Sequence, residues 1–438
     1  MAPTISVPRP TSTRTPTSWG CAIPSDPRSA PGEPVSDPWS PARRLERLTE
    51  LLATWRPLWH PLPFQYPRLP WSAEWSAMAE ALLSLSDAEA ERLQETPFID
   101  SPLADWLPVA ELEALTRLPR LSGEGEPLPE RWAAHMGGRK WRQVQAFLPR
   151  VCLRQEESPL EWCAGKGHLA RTLARHHGVE VAALEWDATL CSSGAALAEA
   201  QDAPVVLARQ DVMAPGVERW LAPGSHACAL HACGDLHRRL LERVVDAGCA
   251  VTLAPCCYQR TADAWYRPLS RLAADGMARF RLELSRDDLS MAVQETVTAP
   301  RHDRRHRQRA GAWRLGFDRL QREVRGVDDY LPVPSLAYGR MPATFEAFCR
   351  WAAARKGITL PGGIDWAGHE AWGQRRQRDV TRLELVRHLF RRPLEVWLGL
   401  DRLVFLEEAG YDAELGTFCE RELTPRNLLI RGRRGGPP

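Results

Sequence analysis

Between Ser158 and Asp275, short apolar runs alternate with stretches that suit a helix, and few folds accommodate that rhythm. The apolar runs are Leu160–Cys163, Val179–Leu184, Pro204–Ala208, Ala227–His231 and Ala250–Ala254. The stretches between and after them are His168–His177, Ala188–Ala200, Leu236–Ala247 and Ala262–Asp275. Runs too short for a helix, each followed by a helical pattern, predict an α/β fold: a parallel sheet covered by helices.

The flanking regions read differently. Residues 1–40 are rich in Pro, Ser and Thr and are expected to be a disordered leader. Residues 41–150 are expected to form a helical N-terminal domain, with one helix from Pro41 and others within Ser72–Leu85 and Ser86–Leu93. The intervening WRPLWHPLPFQYPRLPW holds too many prolines for a helix interior. The sheet core is assigned to 151–300 and an arginine-rich, helical insertion to 301–414. Within the insertion, Thr344–Ala354 and Asp379–Leu389 suit helices. The last segment, 415–438, holds two apolar runs joined by Thr424-Pro-Arg-Asn. Those turn residues predict a hairpin that completes the sheet begun at Leu160.

Bulk properties exclude several classes. No run of eighteen apolar residues is present, so no membrane span is expected. Met1–Gly20 lacks the apolar centre of a signal peptide. Eleven cysteines without a CxxC pair argue against a disulfide framework or a zinc ribbon and for a reducing, cytoplasmic setting. Only three of 57 basic residues are lysines: Lys140, Lys166 and Lys356.

Lys166 lies in Leu160-Glu-Trp-Cys-Ala-Gly-Lys-Gly-His-Leu-Ala-Arg, where a strand ends, glycines turn and a helix begins. Glycines let a backbone approach a ligand, and a new helix aims free N–H groups at the same place. Glu185 ends the second strand, where an acid in an open α/β sheet holds a ribose diol. Asp211 follows the third strand and is placed to accept from an adenine amino group. Glu161 before the glycines, without a GxGxxG, favours a cationic, amino-bearing ligand over a pyrophosphate.

These residues resemble the donor loop of the class I S-adenosylmethionine-dependent methyltransferases, acid-x-Gly-x-Gly-x-Gly, with Cys163 in place of the first glycine. Three further segments narrow the resemblance: His231-Ala-Cys-Gly-Asp-Leu after strand four, Ala254-Pro-Cys-Cys-Tyr-Gln after strand five, and the terminal TPRN turn. With the lead-in Gly138-Arg-Lys-Trp-Arg-Gln-Val, they resemble a methyltransferase-domain family. That family includes the eukaryotic tRNA 2′-O-methyltransferase of the acceptor stem and several methyltransferase-like proteins. The resemblance covers 135–300 and 415–433, and the zinc fingers of the tRNA enzyme are absent.

The resemblance implies a Rossmann-like sheet and S-adenosylmethionine as cofactor. Glu161, Cys163, Ala164, Gly165, Lys166, Gly167, Glu185, Asp211, His231 and Cys233 would lie at the donor. His231, Asp235, Cys256, Cys257 and Tyr258 would face the acceptor. His231 reads either as a general base or as a packed histidine. Asp235 is expected to cap the helix starting at Leu236. Tyr258 is placed to stack on a planar substrate. Cys233, Cys256 and Cys257 are read as pocket lining or as a nucleophile. No metal is expected, because adjacent cysteines such as Cys256 and Cys257 readily point apart. RNA is the favoured acceptor, contacted through the nine arginines of 301–325. A protein or small-molecule acceptor, or a non-catalytic binding module, is the alternative.

Overall fold

The computed structural model describes residues 39–123, 128–294, 301–336 and 339–435. The expected leader lies outside the described residues up to position 38. Ser40 instead belongs to the first helix, α1 (Pro41–Thr54), as its cap, accepting from the Arg43 N–H. Then follow α2 (Arg56–Trp59), α3 (Ser76–Ser84), α4 (Asp87–Glu95), α5 (Val109–Thr116) and α6 (Gly138–Phe147). Pro57 is tolerated in α2 because it sits in the first turn, where its missing N–H has no partner to lose.

The alternating region forms β1 (Ser158–Trp162), α7 (His168–His177), β2 (Val181–Glu185), α8 (Ala188–Ala200), β3 (Val205–Arg209), β4 (Ser225–Ala229), α9 (Asp235–Ala247) and β5 (Ala250–Leu253). After β5 come α10 (Arg271–Phe280) and α11 (Arg286–Met291), still within the stretch assigned to the sheet core, and then, within 301–414, α12 (Arg301–Arg325), α13 (Phe345–Lys356), α14 (Trp366–Leu383) and α15 (Leu385–Glu408). The chain then returns as β6 (Tyr411–Thr417) and β7 (Leu428–Arg434). The seven strands lie in the order β3-β2-β1-β4-β5-β7-β6. β1 to β5 are parallel, and β7 runs antiparallel between β5 and β6. This is an α/β, Rossmann-like sheet whose last hairpin inserts β7 beside β5, after a helical insertion.

Two elements differ from the sequence expectation. No helix spans Ala262–Asp275: α10 begins only at Arg271, behind its cap Ser270. Pro268 precedes that cap, and a proline inside a helix would clash with the preceding turn. β6 begins at Tyr411, inside the stretch assigned to the insertion. Tyr411, Ala413 and Leu415 alternate with exposed Asp412 and Glu414, a period-two pattern overlooked for its two acids.

Both faces of the sheet are covered. One face, with Leu160, Trp162, Ala227 and Val251, shares a core with α1 and α15. Trp397 of α15 is fully buried there and donates to the Thr49 hydroxyl of α1 at 2.8 Å. The other face, with Ala183 and Cys228, packs Trp141 and Phe147 of α6 and Leu169 and Leu173 of α7. A third cluster joins Trp313, Phe317 and Leu320 of α12 to Phe345 and Phe348 of α13. Most of the described tryptophans are at least partly buried, but Trp186 and Trp265 are 69% and 53% exposed.

Candidate functional site

The loop after β1 is built on left-handed backbone. Cys163, Gly165 and Gly167 have φ of 61°, 59° and 64°. Ala164 N–H donates to the Leu184 carbonyl and Gly167 N–H to the Ala164 carbonyl. A Cβ on Gly165 would meet nothing within 4 Å, which leaves the loop open on that side. Gly194 of α8 allows close packing behind it: a Cβ there would lie 3.1 Å from the Lys166 carbonyl.

Cys163 therefore occupies a conformation natural to the glycine it replaces. Left-handed backbone costs an L-residue about 1–2 kcal/mol, and glycine gives back about 0.5–1 kcal/mol of chain entropy. Cys163→Gly is expected to leave ligand affinity within about twofold and to leave stability unchanged or up by about 1 kcal/mol. Calorimetry and thermal melts of the two proteins check this. Burial pushes the Cys163 thiol up, as do the nearby charges of Glu185, Cys233, Glu161 and Asp211, so it stays protonated.

Glu185 is the hinge between the loop and β2. One carboxylate oxygen accepts from Gly165 N–H at 2.8 Å and the other from Asp187 N–H at 3.0 Å. Asp187 in turn caps α8 by accepting from Thr189 and Leu190 N–H. Asp211 is exposed and accepts from Met213 N–H at 2.9 Å. Cys163, Glu185, Trp186, Gln210, Asp211, Val212 and Leu236 are among the residues lining a pocket of about 320 Å³ at the carboxyl ends of β1, β2 and β3. The structure thus brings Cys163, Glu185 and Asp211 to one cavity. Trp186 at its mouth, and Gln210 beside it, were missed. The signal for Trp186 was an aromatic directly after the acid that ends β2.

Glu161 lies deeper. Its carboxylate accepts from Ala170 N–H of α7 at 2.7 Å and so ties the helix start to β1. Burial pushes its pKa up to about 7, against that hydrogen bond and the charges of Lys140 and Arg171, while Glu185 adds to the rise. Lys140 of α6 is held below the usual lysine value, mainly by burial. A carboxyl raised on folding binds its proton more tightly in the folded chain. Its contribution is fully present below about 4.5 and is lost as pH rises through about 7. The melting temperature of the ligand-free protein is expected to fall across that window, and Glu161→Gln is expected to flatten the fall. Lys166 is exposed, and its carbonyl is held by Arg171 at 2.8 Å.

The segments after β4 and β5 interlock. Gly234 has φ 55°, and a Cβ there would lie 1.9 Å from the Arg260 carbonyl, so only glycine fits. Gly234 N–H donates to Cys256 O and Asp235 N–H to Arg260 O. The Asp235 side chain does not cap α9. It accepts from Ala262 N–H at 2.8 Å and pins the following loop. Local helix geometry lost to a partner brought in by the chain after β5.

Tyr258 is 3% exposed, so it is not positioned as an open stacking platform. It lies edge-on to His237, with the Arg402 guanidinium 4.7 Å from its ring centre. His237 is fully buried, accepts from Arg402 Nε at 3.0 Å and donates to Ala232 O at 3.1 Å. His231 is exposed at the end of β4. Loss of solvent around the ring, and then the charges of Lys140 and Arg426, push its pKa down to about 4 against the opposing effect of Cys257, so it is neutral near pH 7.

Cys256 and Cys257 do not point apart. The sulfurs of Cys233, Cys256 and Cys257 lie within 4.8 Å of one another. Cys257 adopts φ 48°, which turns its side chain to the same side as its neighbour's.

Residues 139–264 match the family model described as a methyltransferase domain. Two solved structures are similar in part. One is coclaurine N-methyltransferase bound to N-methylheliamine and SAH, at 12% identity and a TM-score of 0.24, over 42% of this chain and 62% of that one. The other is geranyl diphosphate methyltransferase in complex with GPP and sinefungin, at 14% identity and a TM-score of 0.24, over 44% of this chain and 74% of that one. The chain therefore spans less than two thirds of the coclaurine enzyme's length. Over residues 139–264 the chain carries a methyltransferase domain, set in a Rossmann-like sheet between helical additions.

Proposed function

We propose that the protein transfers a methyl group from S-adenosylmethionine to an RNA acceptor. The observation that carries the donor assignment is the pocket of about 320 Å³ lined by Cys163, Glu185, Trp186 and Asp211. Its size suits a nucleoside-bearing ligand. Glu185 would hold the ribose diol, Asp211 the adenine amino group, and Trp186 a face of the base. Glu161 and the open backbone at Gly165 suit the cationic amino-acid end. The donor arrives already activated, so the protein's share is proximity and orientation. His231, neutral and exposed, is the base for a hydroxyl or amine acceptor. The left-handed backbone of Cys163 supports an intact loop over a module that has lost its ligand.

The RNA reading rests on arginines, and fewer of them than the sequence suggested. Arg304 pairs with Glu91 and Glu95, Arg319 with Glu323, and Arg322 with Asp318 and Asp328. The second half of α12 is packed into the helical core. Arg305, Arg307 and Arg309 are exposed on its first half. A second basic region, with Arg391, Arg392, Arg421 and Arg426, lines a cavity of about 180 Å³ beside the TPRN turn. Arg426 is close enough to act on the charges of both His231 and Cys257.

Calorimetry with S-adenosylmethionine tests the donor, and absence of binding to folded protein overturns the proposal. Labelled methyl transfer to total RNA and to protein from a knockout strain tests the acceptor. Label found only in protein ends the RNA reading. Replacing Arg305, Arg307 and Arg309 together by alanine is expected to weaken RNA binding about tenfold or more. It should also lower the slope of log affinity against log salt by roughly two.

A further inference from the structure

Cys233 follows β4, Cys256 and Cys257 follow β5, and these strands are parallel neighbours. The pairing continues beyond both strands as a bridge between Cys233 and Cys256. Their sulfurs are 3.6 Å apart, and all three sulfurs lie within 4.8 Å. In an extended chain, Cys256 and Cys257 would face opposite sides. The left-handed backbone of Cys257 prevents that, at a cost of about 1–2 kcal/mol for an L-residue. Gly234 lets the two loops approach within backbone hydrogen-bonding distance, so the thiols are brought together by rigid surroundings. Three thiols on one side cannot all be satisfied by a single disulfide. A tetrahedral zinc, with Zn–S of about 2.3 Å, would separate two thiolates by about 3.8 Å, close to the spacing of the first pair.

We propose that Cys233, Cys256 and Cys257 form a three-thiolate binding site for a soft divalent cation of the zinc class, with its fourth coordination position open. Three protein ligands and one open position is the pattern of zinc sites that take a water or an incoming ligand. Three thiolates outweigh a divalent cation by one negative charge. Arg260 and Arg426, both acting on Cys257, supply the compensation. The site lies at the strand ends beside the loop after β1, near enough for Cys233 to help keep the Cys163 thiol protonated.

The test needs no methyl donor, so it stands or falls apart from the proposed activity. Protein purified under reducing conditions without chelator is expected to carry about one zinc per chain by elemental analysis. Chelation followed by Co²⁺ loading should give a thiolate-to-cobalt charge-transfer band. Cys233→Ser, Cys256→Ser and Cys257→Ser should each weaken Co²⁺ binding by more than about 100-fold, since loss of outer partners alone costs about 10–100-fold. Cys152→Ser, at an exposed cysteine, should leave it unchanged. The wild-type spectrum remains decisive if a variant fails to fold. Folded wild-type protein without stoichiometric zinc or a cobalt band overturns the proposal. So does full metal uptake by folded Cys256→Ser, or a wild-type thiol count reduced by two with no metal bound.

Discussion

Glu185→Ala is expected to weaken S-adenosylmethionine binding about 100-fold or more while leaving the chain folded. The carboxylate has two tasks that no neighbour duplicates. It holds the Gly165 N–H and the Asp187 N–H, which fixes the loop after β1 against the end of β2. Its remaining acceptor capacity faces the pocket, where the proposed ribose diol would donate. Hydrogen bonds to a charged group contribute about 1.5–3 kcal/mol each, so losing two ribose bonds costs about 3 kcal/mol or more. Glu185→Gln retains acceptors but not the charge, so an intermediate loss is expected. Calorimetry on both variants, with circular dichroism to confirm folding, decides the matter. Alanine binding as tightly as wild type would remove Glu185 from the donor site.

Asp401→Ala is expected to destabilise the protein by about 3–5 kcal/mol, the range for stranding the partners of a buried charge. Asp401 of α15 is fully buried. It accepts from Leu269 N–H, Ser270 N–H, the Ser270 hydroxyl and the Tyr266 hydroxyl. The carboxylate thus closes the N-terminus of α10 and ties α15 to the chain following β5. Beside it, Arg402 reaches His237 and Tyr266. Alanine would leave two N–H groups and two hydroxyls unpaired in the core and remove a carboxylate whose charge acts on Arg402. Urea denaturation should show a lower midpoint, and donor affinity per folded molecule should be nearly unchanged. A midpoint shift worth less than about 1 kcal/mol would show that water replaces the carboxylate there.

The sheet was legible because its inner parallel strands, β1, β2, β4 and β5, are buried on both faces and read as plain apolar runs, and each helix between them repeats its apolar face. His168–His177 and Ala188–Ala200 carry that signal, and α7 and α8 span those residues. The closing hairpin was legible through the turn chemistry of TPRN. Features set by distant partners were not. Asp235 looks like a cap, yet its hydrogen-bond partner is Ala262. Tyr258 looks like a site aromatic, yet α15 covers it with Arg402 from far along the chain. Cys256 and Cys257 converge because of one backbone angle, which no residue pattern announces in a non-glycine position. The proposed donor pocket was half legible: its acids stand at strand ends, but the exposure of Trp186 follows from how the β2–α8 turn leaves the sheet.

The position of β7 between β5 and β6 has a consequence for the order in which the chain is made. The strands and loops of the proposed donor pocket are complete once Val212 and Leu236 have emerged. β5 then waits with one edge unpaired while Ala254 to Asn427 is synthesised, before its neighbour β7 appears. Pairing between such distant segments is slow, and an open edge invites other strands. Helix α15, which packs against both β6 and β7, must dock before or with that hairpin. A nascent chain would therefore hold this cavity formed long before it is safe from aggregation, and the hazard would end only when the hairpin closes.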